Sequence, residues 1–123
     1  MSEAMLFASD RTFEIWAYNV SHSELLLRSN KSSDRDSRVD ILFKNVKYIS
    51  IKTVLHGMCV EIVSRDDKSI LPTYNGLNSD NIYEVISTSI KGYIVASSFF
   101  MHEDSLDFYE PSQLLSVASS SPT

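Results

Sequence analysis

The chain has 123 residues, 43% of them hydrophobic, and a formal net charge of −5. This length is typical of one domain that buries its own core without metal or disulfide crosslinks. The single cysteine, Cys59, cannot form an internal disulfide, which argues against a secreted disulfide-rich protein.

Short apolar and alternating stretches, separated by polar turn residues, predict a series of β-strands. Residues 1–10 are interpreted as a lead-in, and 29–37 is a polar loop with no apolar side chain to bury. The proline at position 72 predicts that its strand lies at a sheet edge, because proline cannot donate to a ladder. The predicted strands are 12–20, 24–29, 38–44, 46–51, 58–64, 69–74 and 93–102.

The stretch 81–91 fits two kinds of secondary structure. Ile82, Ile86 and Ile90 would lie along one face of a helix. Most of its other residues are β-branched or aromatic, and these side chains lose rotamer freedom in a helix and pack well on a sheet. We expect a strand here, with a helix at 80–91 as the alternative.

Together these elements predict a mainly β protein. About seven or eight short strands are typical of an antiparallel barrel or sandwich, with or without one helix. A helix at 80–91 would instead give an α+β fold. We expect a single compact domain over residues 1–117 and a disordered serine-rich tail over 118–123.

Motifs of the common enzyme classes are absent from the sequence. Its three glycines are too widely separated for a phosphate-binding loop, and no metalloprotease, CxxC or GxSxG motif occurs. His102, Glu103 and Asp104 are the only adjacent metal-ligand types, and alternation along a strand would direct only two of them to one face. Cys59 lies within a predicted strand, where a thiol is usually inert. We therefore expect no catalytic residues, no metal and no cofactor.

Charge is distributed unevenly along the chain. Residues 1–79 contain ten acids and ten bases, whereas 80–123 contain six acids and one base, Lys91. Four of those acids fall within 103–110. An acidic surface repels phosphate backbones and attracts basic partners, so we expect no nucleic-acid binding. A solvated acidic loop that only aids solubility is the plainer interpretation.

Aromatic residues within this acidic stretch make it the candidate interaction site, here called the C-terminal patch. Buried aromatics often anchor protein–protein interfaces. We hypothesise a small non-catalytic binding protein that docks or neutralises a basic protein, with a homodimer as the other protein partner. The patch consists of Glu103, Asp104, Asp107, Phe108, Tyr109 and Glu110.

A second hypothesis is a small β-barrel that binds an apolar or aromatic small molecule, with or without weak enzymatic activity. It is motivated by the apolar residues on both faces of 12–20 and 93–102. No apolar run approaches the roughly 20 residues of a membrane helix, and the N-terminus lacks the basic and apolar regions of a signal peptide. The expected location is the cytoplasm, without membrane association.

Overall fold

The computed structural model describes residues 4–63, 80–88 and 90–114. These residues form a mainly β structure in which all neighbouring strands are antiparallel, as predicted. The part of the chain so described contains no helix, and hence none able to span a membrane. The strands are β1 (Ala4–Asn19), β2 (Glu24–Ser29), β3 (Arg38–Lys44), β4 (Tyr48–Ser50), β5 (Val54–Val63), β6 (Asn81–Ser87), β7 (Ile90–Ala96) and β8 (Ser98–Asp104).

The eight strands belong to one sheet in the order β4-β7-β6-β5-β1-β2-β3-β8. The described pairings leave β4 and β8 at the two ends of the ladder and do not close it into a ring. The prediction of a mainly β, antiparallel fold is therefore confirmed, whereas the barrel or sandwich stays a prediction.

The described residues of the ambiguous stretch 81–91, which are all but position 89, form strand and turn, so the alternative of a helix at 80–91 is wrong. Its first part is β6, and β7 begins at Ile90, with Ser87 paired to Ile90 across the hairpin. Because β6 pairs with β5 on one side and β7 on the other, neighbouring strands provide its backbone hydrogen-bond partners. The β-branched and aromatic composition of this stretch therefore predicted its secondary structure correctly, whereas the helical spacing of its isoleucines did not.

Strand β1 is longer than predicted, and the lead-in assigned to residues 1–10 is wrong from residue 4 onward. β1 pairs with β5 along this stretch, with register shifts between Met5 and Phe7 and between Ser9 and Thr12. Such irregularities interrupt the alternation of side chains and hide the strand from pattern analysis. β5 begins four residues before the predicted strand 58–64 and includes Gly57, whose φ is 80°.

The predicted strand 93–102 is divided at Ser97 into β7 and β8. β7 pairs with β6 and β4, whereas β8 pairs with β3. The Ser97 N–H donates to the Lys44 carbonyl at 3.0 Å. Residue Asn45, with φ of 57°, lies between β3 and β4 at the corresponding position. Both chain segments therefore pass from one end of the strand order to the other at the same place.

One hydrophobic cluster receives side chains from six strands. Phe13, Phe43, Val60, Tyr83 and Ile94 are among its buried members. The ring centroids of Phe43 and Tyr83 are 5.2 Å apart. Burial of each large side chain stabilises the fold by about 1.5–3 kcal/mol. These side chains form the main hydrophobic core of the described residues.

The opposite face of β2 and β3 is also buried, which alternation alone does not predict. Every residue of β2 is buried, as is every residue of β3 except Lys44. Leu26 and Leu42 are paired across the two strands and lie outside the cluster formed by their neighbours. The chain after β8 makes contacts on this second face, and the candidate site lies there.

Several sequence predictions concern residues outside the described ranges. These are the strand at 69–74, the domain limit at 117 and the tail at 118–123. They stay predictions.

Candidate protein-binding surface

A buried ion pair joins β2 to β3. Arg28 and Asp40 lie directly opposite each other, and their side chains are 1% and 0% exposed. The Nε and Nη2 groups of Arg28 donate to the two carboxylate oxygens of Asp40 at 2.7 and 3.1 Å. Such bidentate geometry offsets part of the large cost of removing both charges from water.

A second ion pair joins β3 to β8. Arg38 donates from Nε and Nη2 to the two oxygens of Asp104, both at 3.1 Å, and its Nη2 lies 3.9 Å from Asp40. Burial tends to raise the pKa of Asp104, but hydrogen bonds from the Leu106 N–H and Arg38 outweigh it, so the pKa is lowered. The two connected ion pairs are called the arginine clamp, which consists of Arg28, Arg38, Asp40 and Asp104.

The remaining N–H groups of Arg38 bind backbone carbonyls of residues 105–112, called the C-terminal loop. Its Nη1 donates to the carbonyls of Asp107 at 2.8 Å and Glu110 at 2.7 Å. Its Nη2 also donates to the Pro111 carbonyl at 3.2 Å. A buried side chain of β3 therefore contacts the loop at three backbone positions.

Arg28 adds a fourth contact to the C-terminal loop. Its Nη1 donates to the Phe108 carbonyl at 2.8 Å. The guanidinium carbon lies 5.1 Å from the centroid of the Trp16 ring, within the range of a cation–π interaction. Arg28 thus connects β1, β2 and the C-terminal loop.

A tight turn at residues 107–110 presents two aromatic side chains. The Glu110 N–H donates to the Asp107 carbonyl at 3.0 Å, and the Asp107 N–H donates to a Glu110 carboxylate oxygen at 3.2 Å. Phe108 and Tyr109 occupy the middle of this turn and are 59% and 69% exposed. Their rings meet edge to face, with centroids 5.5 Å apart.

All six residues of the C-terminal patch lie in this loop or at the end of β8, but Glu103, Asp104 and Asp107 interact with bases from other parts of the chain. Lys31 lies 3.0 Å from Asp107, and its hydrogen bond and charge lower the pKa of that carboxyl. Glu103 accepts a hydrogen bond from Ser37 and lies 4.0 Å from Arg11. The local excess of acid counted along the sequence is therefore partly offset in three dimensions.

Sequence analysis did not find the residues of β2 and β3 that hold the loop. Arg38 and Asp40 alternate with apolar residues in the predicted strand 38–44, a pattern that predicts a polar, solvent-facing side, whereas both are fully buried. One available signal was Arg28, which directly follows three consecutive leucines in a six-residue strand. A charged residue at the end of so apolar a run requires a buried partner if both strand faces are covered.

A shallow groove on β1, β5 and β6 has a volume of about 570 Å³ and includes His56 and Cys59. Burial, followed by the nearby carboxylate of Glu61, raises the pKa of the Cys59 thiol. A thiol that stays protonated is a weak nucleophile. His56 Nδ1 lies 3.4 Å from the hydroxyl of Thr12. Within the described ranges, no three His, Cys, Asp or Glu side chains are grouped to hold a metal ion.

Comparisons of the chain with family models, curated proteins and solved structures found no match.

Proposed function

We propose that this protein is a non-catalytic binding protein whose partner, a basic protein, docks on Phe108 and Tyr109. The supporting observation is that these are the two most exposed aromatic side chains of the described residues, and that they adjoin each other in one turn. Aromatic side chains bury large areas with little loss of conformational freedom, so they often dominate interface energies.

Charge favours a basic partner. The protein carries a net charge of −5, which attracts cationic proteins over long distances. The side chains of Glu103 and Asp107 keep 54% and 50% of their surface exposed despite their bases. Aromatic ring faces also attract Lys and Arg side chains. The aromatic pair would anchor the complex, while the acids would accelerate encounter and select the partner.

We also propose that the single sheet curls toward a barrel. β7 and β8 are separated by one residue in the chain yet pair at opposite ends of the strand order, and six strands contribute to one cluster. The second hypothesis, a small molecule inside such a barrel, stays a prediction. Phe43 packs against Tyr83 and Phe99 in the core, where the small molecule would have to bind. The small-molecule hypothesis therefore has less support than protein binding at the exposed loop.

The test compares the double variant Phe108→Ala/Tyr109→Ala with wild type. Proteins retained from native lysate at low and high salt are identified, and the retained basic protein is then purified for measurement of Kd. Loss of two anchoring aromatics should weaken binding by at least about 2 kcal/mol, or about thirtyfold in Kd. High salt should weaken the wild-type complex.

A matched control replaces two exposed apolar side chains elsewhere. Met5→Ala/Val20→Ala should leave Kd unchanged, since Met5 and Val20 lie outside the C-terminal loop. Equal binding by the aromatic double variant, or the absence of any retained basic protein, would overturn the proposal. Sedimentation of the isolated protein tests the remaining partner hypothesis, a homodimer.

A further inference from the structure

We propose that the arginine clamp is a positioning device that holds Phe108 and Tyr109 in their binding arrangement before the partner arrives. This inference rests on the proposed function, because it assigns the clamp a role in the same docking event. Arg28, Arg38 and Asp40 are not expected to touch the partner, since they are buried beneath the loop.

The clamp is an inefficient way to stabilise a fold. Two arginines and Asp40 are at most 2% exposed, on a face that also buries Leu26 and Leu42. Buried ion pairs often contribute less to stability than apolar side chains of similar volume would. Their best-attested benefit is to specify one arrangement of the chain among several. Here that arrangement is the path of the C-terminal loop.

Arg38 uses every hydrogen-bond donor that its side chain carries. A guanidinium has five N–H donors in a rigid planar fork. Arg38 makes five hydrogen bonds, two to Asp104 and three to loop carbonyls. Lysine has only three donors and no planar fork, so it cannot reproduce this set. The contacts therefore specify the path of the loop backbone, and they do so from a side chain that the protein interior holds fixed.

Hydrogen bonds from the clamp hold the backbone at Phe108 and on both sides of the Phe108–Tyr109 pair. Their acceptors are the carbonyls of Asp107, Phe108, Glu110 and Pro111. A loop fixed in this way loses little further freedom when a partner binds. Without the clamp, only a fraction of molecules would present the rings correctly, and the apparent affinity would fall to that fraction of its full value.

The test is the conservative variant Arg38→Lys, which keeps the charge and removes the fork. We expect faster hydrogen exchange at the amides of Leu106, Asp107 and Glu110 in the free protein. We also expect about a tenfold weaker partner complex, with a slower association rate and a nearly unchanged dissociation rate. If Arg38 instead stabilised only the bound complex, its replacement would accelerate dissociation.

The matched control is Arg35→Lys, because Arg35 is 40% exposed and pairs with Asp10 at the surface. It should change neither loop exchange nor affinity. If Arg38→Lys also raises exchange at core amides such as Val60, the variant is globally destabilised. Arg28→Lys, which removes the hydrogen bond to Phe108, then takes its place in the same measurements.

The outcomes separate the two proposals. A loosened loop with unchanged association rate and affinity would overturn the positioning role but leave the docking function intact. Unchanged loop exchange in both arginine variants would also overturn it. Failure of Phe108→Ala/Tyr109→Ala to weaken the complex would overturn the docking function itself.

Discussion

Arg38 and Asp104 lie directly opposite each other across β3 and β8, and two guanidinium–carboxylate hydrogen bonds of 3.1 Å join them. Asp104 is the last residue of β8, so this pair fixes the point at which the chain leaves the sheet. The Leu106 N–H also donates to Asp104, at 3.0 Å. One carboxylate thus connects the buried arginine of β3 to the beginning of the C-terminal loop.

Removal of one clamp carboxylate should destabilise the protein strongly. Asp40→Ala leaves Arg28 buried without its bidentate partner, and we expect the free energy of unfolding to fall by about 3–5 kcal/mol. Urea denaturation measures this change. Asp10→Ala is the control, since the Asp10 side chain is 86% exposed and its ion pair with Arg35 is at the surface. Similar effects of the two substitutions would contradict the burial of the clamp.

Stability should depend on the ionisation of Asp104 at acidic pH. Its pKa is lowered from an ordinary value of 3.8 in the folded protein. Its stabilising contribution is therefore fully present above the unfolded-state pKa and is lost as pH falls through the lower folded-state pKa. A pH series of urea midpoints should show a smaller acid-side decline for Asp104→Asn than for wild type. Identical declines would exclude a linked contribution from this carboxyl.

The Cys59 thiol should react slowly with thiol reagents. Because burial and the Glu61 carboxylate raise its pKa, the folded protein contains less thiolate at neutral pH than the unfolded chain. Glu61→Gln should increase the reaction rate, because it removes the negative charge that opposes thiolate formation. A faster reaction in the native protein than in denaturant would point to an activated cysteine and to chemistry in the groove.

Replacement of Gly92 by a larger residue should destabilise the protein. A Cβ at this position of β7 would collide with the Ser50 carbonyl oxygen of β4 and approach Ile51 closely. We expect Gly92→Ala to lower the free energy of unfolding by about 1–3 kcal/mol, because β4 must move away. Thermal and urea denaturation provide the measurement. Lys52→Ala, at an exposed position two residues after β4, should change stability by no more than about 0.5 kcal/mol.

Local patterns predicted most of the sheet. The predicted ranges 24–29 and 38–44 coincide with β2 and β3, because compact apolar or alternating runs were bounded by polar turn residues. Composition correctly favoured a strand at β6 over a helix. These features depend on neighbours in sequence, and a single sequence contains that information.

The contacts of the arginine clamp could not be predicted in the same way. Alternation assigned Arg38 to solvent, but the loop that covers it comes 69 to 73 residues later in the chain. The sequence count likewise treated Asp107 as an unpaired acid, whereas Lys31 approaches it from far earlier in the chain. Contacts between residues so far apart in the chain form only in the folded protein, so local sequence patterns do not reveal them. Phe108 and Tyr109 are exposed in the turn at 107–110. Their assignment to a binding site, and the function of that site, stay predictions.

Photo-crosslinking from position 109 tests the docking proposal most directly. Tyr109 is replaced by a photoreactive phenylalanine analogue, and Tyr18, which is 43% exposed in β1, is replaced in the same way as the control. If the C-terminal loop is the docking surface, a covalent adduct with one basic protein should form from position 109 and be absent from position 18. No adduct from position 109, or the same adducts from both positions, would contradict a specific docking surface at Phe108 and Tyr109.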